Sequence, residues 1–220
     1  QNEDFQLVSL NTSRFDTTKH RATPVVSDAK VGLKELSNIL GDWKAPDDWY
    51  IKAVQEKKTW DSYVAKESGP TNQELPSYAH AVGAVYRNAD PSDIVVTAAG
   101  GLVGEVVQIW KPKQLNTFET EWGFSCMGYE ISGALGIKMA KPDQDVIVFV
   151  GDGSYLLQNS DIYSSVIYNK KLIIVVCDNG GHMVINRLQL AKGGKEYLCN
   201  LRSARAPNVQ FVDFEAHAKS

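Results

Sequence analysis

The 220-residue chain has few cysteines, no long apolar run and no excess of positive charge. Its three cysteines, Cys126, Cys177 and Cys199, are an odd number and lie far apart, which argues against a disulfide framework or a zinc site. Reduced thiols in a cytoplasmic protein are therefore expected. Lys and Arg number 23 against 26 Asp and Glu, a balance that argues against a nucleic-acid partner. No segment approaches the roughly 18 consecutive apolar residues of a membrane span, so no membrane partner is expected.

Both ends of the sequence indicate that it is part of a longer polypeptide. The start, QNEDFQLVSL, has no Met and lacks the basic and apolar regions of a secretory signal. The end, VDFEAHAKS, has a helical pattern with no stop signal after it. We therefore expect a fragment from the C-terminal part of a longer protein.

Composition and periodicity divide the chain into three predicted regions: residues 1–41, 42–70 and 71–220. The first region contains a predicted strand, Phe5–Leu10, and a predicted amphipathic helix, Asp28–Leu40, which ends at Gly41. The second is rich in Trp, Lys and Asp, and we interpret it as a linker with a helical portion. The pattern changes again at Thr71, where apolar strands and helices begin to alternate.

The third region is predicted to be a parallel sheet with helices on both faces, an α/β fold. Its predicted strands are the apolar runs of DIVVTAAGG, DVIVFVGDG and Leu172–Cys177, and its predicted helices run from Pro76 to Arg87, Met127 to Ala140 and Tyr155 to Tyr168. Continuous apolar strands separated by helices are typical of such sheets. Ligands bind beyond the carboxyl ends of their strands. The strand ends AAGGLVGE, GDGS and DNGG are therefore expected to converge on one crevice.

The segments GDGS and DNGG together carry groups for a metal and a phosphate. Gly151 and Gly153 allow a ligand to approach the backbone closely. Ser154 is predicted to begin a helix, and the N-terminus of a helix favours an anion. Asp152 and Asn179 supply oxygen ligands of the kind that Mg²⁺ takes together with phosphate oxygens. Each segment alone is a common turn signal, but the two at adjacent strand ends predict a metal-bridged diphosphate.

GDGS followed by DN at this spacing resembles the cofactor signature of thiamine-diphosphate-dependent enzymes. The resemblance implies their diphosphate-binding domain for residues 71–220, with thiamine diphosphate and Mg²⁺ as cofactors. The metal ligands that it implies are Asp152, Asn179 and the backbone carbonyl of Gly181. The residues that it implies at the diphosphate are Gly151, Gly153 and Ser154.

Two further segments support the resemblance. EWGFSCMGYEISGALGIKMA is similar to the family segment in which a bulky apolar residue bends the cofactor. The matching residue is Met127, and the backbone of Ser125 and Met127 would bond the aminopyrimidine. For Met127 alone, an ordinary core residue at a helix start is the competing interpretation. AAGGLVGE matches the first diphosphate loop of the family, which implies contacts from Gly101 and Leu102.

Within the family, the sequence looks closer to the enzymes that open the ring of trihydroxycyclohexane-1,2-dione in myo-inositol catabolism than to acetolactate synthases. The segments that carry this likeness are AAGGLVGE, EWGFSCMGYE, GDGSYLLQNS and DNGGHMVINRLQ. LNTSRFDTTKHRATPVVSDAK resembles the end of the family's central α/β domain, so the likeness covers nearly the whole chain. His182 and Met183 depart from the family pattern. The implied partner is a cyclic polyol diketone, with His182, Asn186 and Gln189 as candidate substrate contacts; satisfying the local backbone or solvent is the alternative role for these three.

The resemblance also implies a group that these residues do not supply. Family chemistry needs a glutamate that activates the aminopyrimidine, and it lies in an N-terminal pyrimidine-binding domain, usually on a partner subunit. Nothing in the sequence marks Glu105, Glu119, Glu121 or Glu130 for that role. We therefore expect the chain alone to be inactive, and the full-length enzyme to be a homodimer or homotetramer. A carboligase of the acetolactate synthase type and a non-catalytic diphosphate-binding module remain the alternatives.

Overall fold

The computed structural model describes residues 4–203 and 212–220. The chain forms two compact units, residues 1–58 and residues 59–220. The domain roles assigned to the three regions of the sequence remain predictions. In the described part of the chain, no helix combines the length and the apolar character that crossing a membrane requires.

The first unit is built on a two-stranded parallel sheet. Strands β1 (Val8–Asn11) and β2 (Thr23–Val26) pair in register from Val8 with Thr23 to Asn11 with Val26. Helix α1 (Arg14–Thr17) lies between them in the sequence, and helix α2 (Ala29–Leu40) follows. Strand β1 thus begins three residues after the predicted start at Phe5 and ends one residue after the predicted end at Leu10.

Helix α2 confirms the predicted amphipathic helix almost residue for residue. Asp28 caps its start, since the carboxylate accepts the N–H groups of Lys30 (3.0 Å) and Val31 (3.2 Å). Gly41 ends it with a φ of +54°, a conformation that favours glycine. Helix α3 (Asp47–Glu67) then accounts for the helical portion of the predicted linker, and is longer than expected.

The second unit contains a four-stranded sheet of strand order β4-β3-β5-β6, in which every neighbouring pair is parallel. The strands are β3 (Ile94–Thr97), β4 (Phe118–Thr120), β5 (Val146–Gly151) and β6 (Ile173–Cys177). The helices are α4 (Tyr78–Asn88), α5 (Leu102–Ile109), α6 (Tyr129–Ala140), α7 (Asp152–Leu157), α8 (Ser160–Ile167), α9 (Met183–Ala191) and α10 (Phe214–Lys219). The predicted α/β class is confirmed.

The sheet has an apolar cluster on each face, as the near-continuous apolar strands require. On one face Val95, Ile147 and Phe149 pack with α4 and α5. On the other, Val96 and Val148 pack with α6 and α7. Cys177 lies in the first cluster, where burial raises the pKa of its thiol to about 11. This thiol therefore stays protonated at neutral pH and serves as a small apolar side chain.

Three helix boundaries differ from those predicted. Ser77 caps α4 through a capping box with His80, so Pro76 lies before the cap and not in the first turn. The helix predicted from Tyr155 to Tyr168 is two helices, α7 and α8, separated at Gln158 and Asn159. Helix α6 begins two residues after Met127, because Gly128 adopts a φ of +94°.

Candidate functional site

The carboxyl ends of β3, β5 and β6 line one cavity of about 340 Å³, within the range of small-molecule sites. The predicted cofactor residues that line it are Gly101, Leu102, Ser125, Met127, Gly151, Gly153 and Ser154. The predicted metal ligands Asp152, Asn179 and Gly181 line it as well, and so does His182. The three strand ends therefore converge as the parallel sheet predicts.

Strand register brings the GDGS and DNGG segments together. Gly151 at the end of β5 pairs with Cys177 at the end of β6, so the residues that follow each strand are neighbours. The Gly181 N–H donates to Oδ2 of Asp152 at 2.8 Å, across this junction. Asp152 is the first residue of α7 and not part of a preceding loop, and the predicted helix start at Ser154 is thus two residues late.

The carboxylate of Asp152 is nearly enclosed, with 5% of the residue exposed. Burial raises its pKa, and the neighbouring charge of Asp178 raises it further. Hydrogen bonds from the N–H groups of Gly181, Gly153 and Asn179 oppose that rise. A cation beside this carboxylate would favour its ionised form, because it would offset both the burial and the repulsion.

The amide of Asn179 is oriented by a tyrosine from α4. Its Nδ2 donates to the hydroxyl of Tyr78, which leaves Oδ1 for another partner. Burial is the main reason why the pKa of the Tyr78 hydroxyl is raised. The neutral phenol therefore holds the amide at neutral pH, with the oxygen available as a metal ligand.

The donors at this junction fit a small hard cation. In residues 4–203 and 212–220, no three His, Cys, Asp or Glu side chains cluster as a metal site. The available oxygens are one carboxylate, one amide and the Gly181 carbonyl, which accepts the Met183 N–H at 3.0 Å and keeps a second lone pair. Mg²⁺ takes few protein oxygens and completes its octahedron with phosphate oxygens and water. This donor set fits Mg²⁺ and does not fit zinc.

Two helices begin at the cavity without a side chain capping them. Gly101 precedes α5 and Gly151 precedes α7, and neither helix has a side-chain cap. The first-turn N–H groups of α5 have no partner within the helix, so they are donors for an anion. In α7 the Gly153 N–H already bonds the Asp152 carboxylate, and the rest of the turn faces the cavity. Space at Gly153 is tight: a Cβ there would lie 2.9 Å from Cε1 of His182 and 3.2 Å from Cε of Met127.

Carboxylates fix the loop that carries Ser125 and Met127. Glu121 accepts the N–H groups of Phe124 and Cys126, both at 2.8 Å, and these bonds lower its pKa. Ser125 has a φ of +52° and donates from Oγ to the carbonyl of Ala98 at 3.3 Å. Met127 follows with 40% of the residue exposed, facing the cavity rather than the apolar core.

Glu130 ties this loop to the end of β3. It is 0% exposed, and its two oxygens accept the N–H groups of Ala99 (3.0 Å) and Gly128 (2.9 Å). Ala99 directly precedes the glycines before α5, and Gly128 directly follows Met127. The carboxylate therefore sets the spacing between two walls of the cavity, which is a structural role that its position in the sequence did not indicate.

Asn186 and Gln189 do not line the cavity. Asn186 is buried, and its Nδ2 donates to Oε2 of Glu196 at 3.1 Å. Gln189 Oε1 accepts from the thiol of Cys199 at 3.6 Å. Residues three apart on a helix share a face, and here that face is turned toward the following segment.

The cavity also includes residues that sequence reasoning missed. Tyr78 comes from α4, and Val184, Arg187 and Leu188 come from α9. Their spacing of three and four residues is that of one helical face. The same periodicity in HMVINRLQLA was the available signal, but the segment was not predicted to be a helix.

Comparison with known proteins found one matching family and several similar proteins. Residues 98–220 match the family described as "Thiamine pyrophosphate enzyme, C-terminal TPP binding domain". A 3D-(3,5/4)-trihydroxycyclohexane-1,2-dione hydrolase of Lacticaseibacillus casei is 34% identical over 90% of this chain and 34% of its own length. Proteins of the same name from Halalkalibacterium halodurans (35% identical, 92% of this chain, 35% of its own length) and Geobacillus thermodenitrificans (33%, 90% and 34%) are similar. The chain spans about a third of the length of these curated relatives.

Proposed function

Because the chain belongs to the thiamine pyrophosphate enzymes through their C-terminal TPP-binding domain, we propose that it supplies the Mg²⁺ and diphosphate half of a thiamine diphosphate site. One observation carries this proposal: the hydrogen bond from Gly181 to Asp152 joins two strand ends inside a cavity where two uncapped helices begin. A carboxylate, an amide oxygen and free N–H groups are thus within reach of one ligand.

The proposed roles follow the placement of each group. The residues that would hold Mg²⁺ are Asp152, Asn179 and, through its carbonyl, Gly181. The residues that would hold the diphosphate are Gly101, Leu102, Gly151, Gly153 and Ser154. Ser125 and Met127 would orient the aminopyrimidine, and the Met127 side chain beside Gly153 would support a bent cofactor. When bound, thiamine diphosphate supplies an electron sink for cleavage of a carbon–carbon bond next to a carbonyl.

For the full-length protein we propose hydrolysis of a carbon–carbon bond in a cyclic 1,2-diketone. Trihydroxycyclohexane-1,2-dione and one water would give 5-deoxyglucuronate. The bond between the two ketone carbons breaks, and one of these carbons becomes a carboxylate and the other an aldehyde. The names of the relatives support this substrate, and the place in inositol catabolism follows from it. The activating glutamate would come from the part of the protein outside these residues.

His182 is the proposed substrate contact in this chain. Its ring lies beside Gly153 and lines the cavity, which supports that role. Asn186 and Gln189 lie on the other face of α9, and their substrate role stays a prediction. The chain's own contribution is to hold the ligand's anionic end, orient its ring end and limit the space that water can enter.

Incubation of the full-length protein with thiamine diphosphate, Mg²⁺ and the cyclic dione tests the proposed reaction. Mass spectrometry is expected to find an open-chain product heavier by one water, and ¹⁸O from labelled water in its carboxylate. Condensation of pyruvate instead of ring opening would favour the acetolactate synthase type. Calorimetry that detects cofactor binding without either reaction would favour a non-catalytic module. The 220-residue chain serves as the control, and turnover by it would contradict its expected inactivity.

We further propose that the full-length protein is a cytoplasmic homodimer or homotetramer. Helix α8 and the residue that ends it support assembly, because Tyr163, Val166, Ile167 and the C-cap Tyr168 expose between 58% and 70% of their surface. Sedimentation of the full-length protein at micromolar concentration is expected to give a dimer or tetramer mass. A monomer across the concentration range would contradict this proposal.

A further inference from the structure

The cavity contains a cationic side chain that no signature segment indicates. Among the described residues that line it, Asp152 and Arg187 are the two with a formal charge. Arg187 lies on α9, one helical turn beyond Met183. It is therefore brought to the site by the helix that follows the metal-binding segment, and not by a strand end.

The guanidinium lies against the start of α5. Its Nη2 is 2.4 Å from the point where a Cβ on Gly101 would stand, so the absence of a side chain at Gly101 gives it this position. The first-turn N–H groups of α5 and the guanidinium thus form one group of donors at the same wall. The pKa of Tyr78 is raised mainly by burial, and the charge of Arg187 is among the effects that oppose this rise. Tyr78, the tyrosine that orients Asn179, lines the same cavity as the guanidinium.

Within the part of the chain that the structure describes, Arg187 has no anionic partner. Across residues 4–203 and 212–220, no carboxylate oxygen forms an ion pair with its guanidinium. A diphosphate carries more negative charge than one divalent cation offsets, and the Asp152 carboxylate adds to the excess. An Arg beside a helix start supplies the missing positive charge in a fork of donors that matches phosphate oxygens.

We infer that Arg187 binds the diphosphate of the cofactor at the α5 side of the cavity, together with the backbone at Gly101 and Leu102. This inference rests on the proposed function for the identity of the ligand. Arg187 is then an anion-binding residue whose loss weakens cofactor retention, in addition to the residues that the family segments supply.

The test compares R187Q and R187K with the wild-type full-length protein. Arg202 provides the matched control, since it is exposed, lies outside the cavity and loses the same charge in R202Q. Calorimetry with Mg²⁺ uses two probes, inorganic diphosphate and thiamine diphosphate. R187Q is expected to weaken both by about 10- to 100-fold, the range for a charge-assisted hydrogen bond. R187K is expected to recover part of the lost affinity. R202Q is expected to bind both probes with the affinity of the wild type. Far-UV circular dichroism checks that the variants are folded.

The outcomes separate this inference from the proposed function. Unchanged affinity of R187Q for both probes, with a raised KM for the diketone, would assign Arg187 to the substrate and overturn the inference. If R187Q and R202Q weaken binding of the probes equally, the loss is a general effect of protein charge, and the inference is overturned as well. If the wild type binds Mg²⁺ diphosphate but not the thiamine compound, the proposed function fails, while a loss confined to R187Q still supports diphosphate binding by Arg187. If the wild type binds neither probe, both the inference about Arg187 and the proposed function are contradicted.

Discussion

Replacing Asp152 with alanine is expected to abolish Mg²⁺-dependent binding of thiamine diphosphate by the full-length protein. Asp152 is the proposed ligand that carries a full negative charge, and its carboxylate also accepts the N–H of Gly181. Changes to groups that only support metal ligands cost about 10- to 100-fold in affinity, so loss of the ligand itself is expected to cost roughly 100-fold or more. Calorimetry with and without Mg²⁺ measures the effect.

Two variants make this test specific. D143A removes an exposed carboxylate outside the cavity and is expected to bind as the wild type does. D152N keeps an oxygen for the Gly181 N–H but loses the charge. It therefore separates the effect of the side chain's shape on Mg²⁺-dependent binding from the effect of its charge. Mg²⁺-dependent binding by D152A at wild-type affinity would contradict the assignment of this carboxylate to the metal.

D152N is expected to reduce the pH dependence of the stability of the metal-free protein. Burial, followed by the charge of Asp178, raises the pKa of Asp152 in the folded state. The folded state then binds this proton more tightly than the unfolded state does. The free energy of unfolding therefore falls as pH rises from the unfolded pKa through the folded pKa, and stays lower above it. Asn does not titrate, so the Tm of D152N should change less with pH than that of the wild type when Mg²⁺ is removed with a chelator.

Replacing Glu130 with alanine is expected to lower the free energy of unfolding by about 2–4 kcal/mol. The change leaves the buried N–H groups of Ala99 and Gly128 without their acceptor, and an unsatisfied buried group costs about 1–3 kcal/mol. E130Q retains one acceptor oxygen but turns an NH₂ group toward the other N–H, so a smaller loss is expected. Urea unfolding of the full-length protein measures both.

The matched control for Glu130 is Glu119, an exposed glutamate on β4. E119Q is expected to stay within about 0.5 kcal/mol of the wild type, as surface changes usually do. E130Q is also expected to weaken thiamine diphosphate binding, because the two walls that Glu130 connects both carry proposed cofactor contacts. An E130A protein as stable as E119Q would show that water or a local rearrangement replaces the carboxylate.

The parallel sheet was predictable because its central strands are short, continuous apolar runs. For β3, β5 and β6 the sequence pattern and the structure agree to within a residue or two, and the convergence of their ends follows from parallel pairing alone. Strand β2 was not predicted, since Thr23–Val26 is short, contains Pro24 and is exposed throughout. Strand β4 has three residues and no apolar run to mark it.

The site was predictable where its chemistry lies in a contiguous segment. Asp152 lies one residue after β5 and Asn179 two residues after β6, so the position of both depends on the register of these strands. Tyr78, Glu130 and Arg187 reach the cavity or its walls from helices, and their contacts depend on how those helices pack against the sheet. Sequence periodicity indicates which residues share one face of a helix, but it does not indicate which residues of other elements that face will contact. Asn186 and Gln189 were predicted as substrate contacts and lie outside the cavity, whereas Arg187 of the same helix lines it; the substrate role of the first two stays a prediction.

The direct passage from β5 into α7 has a consequence for the entropy of ligand binding. Gly151 is the last residue of the strand and Asp152 the first of the helix, so no flexible linker precedes the carboxylate. Ordering one backbone residue costs about 1–2 kcal/mol, and this side of the cavity has already met that cost on folding. A ligand that arrives there gains its contacts without immobilising the chain, which is the thermodynamic meaning of preorganisation.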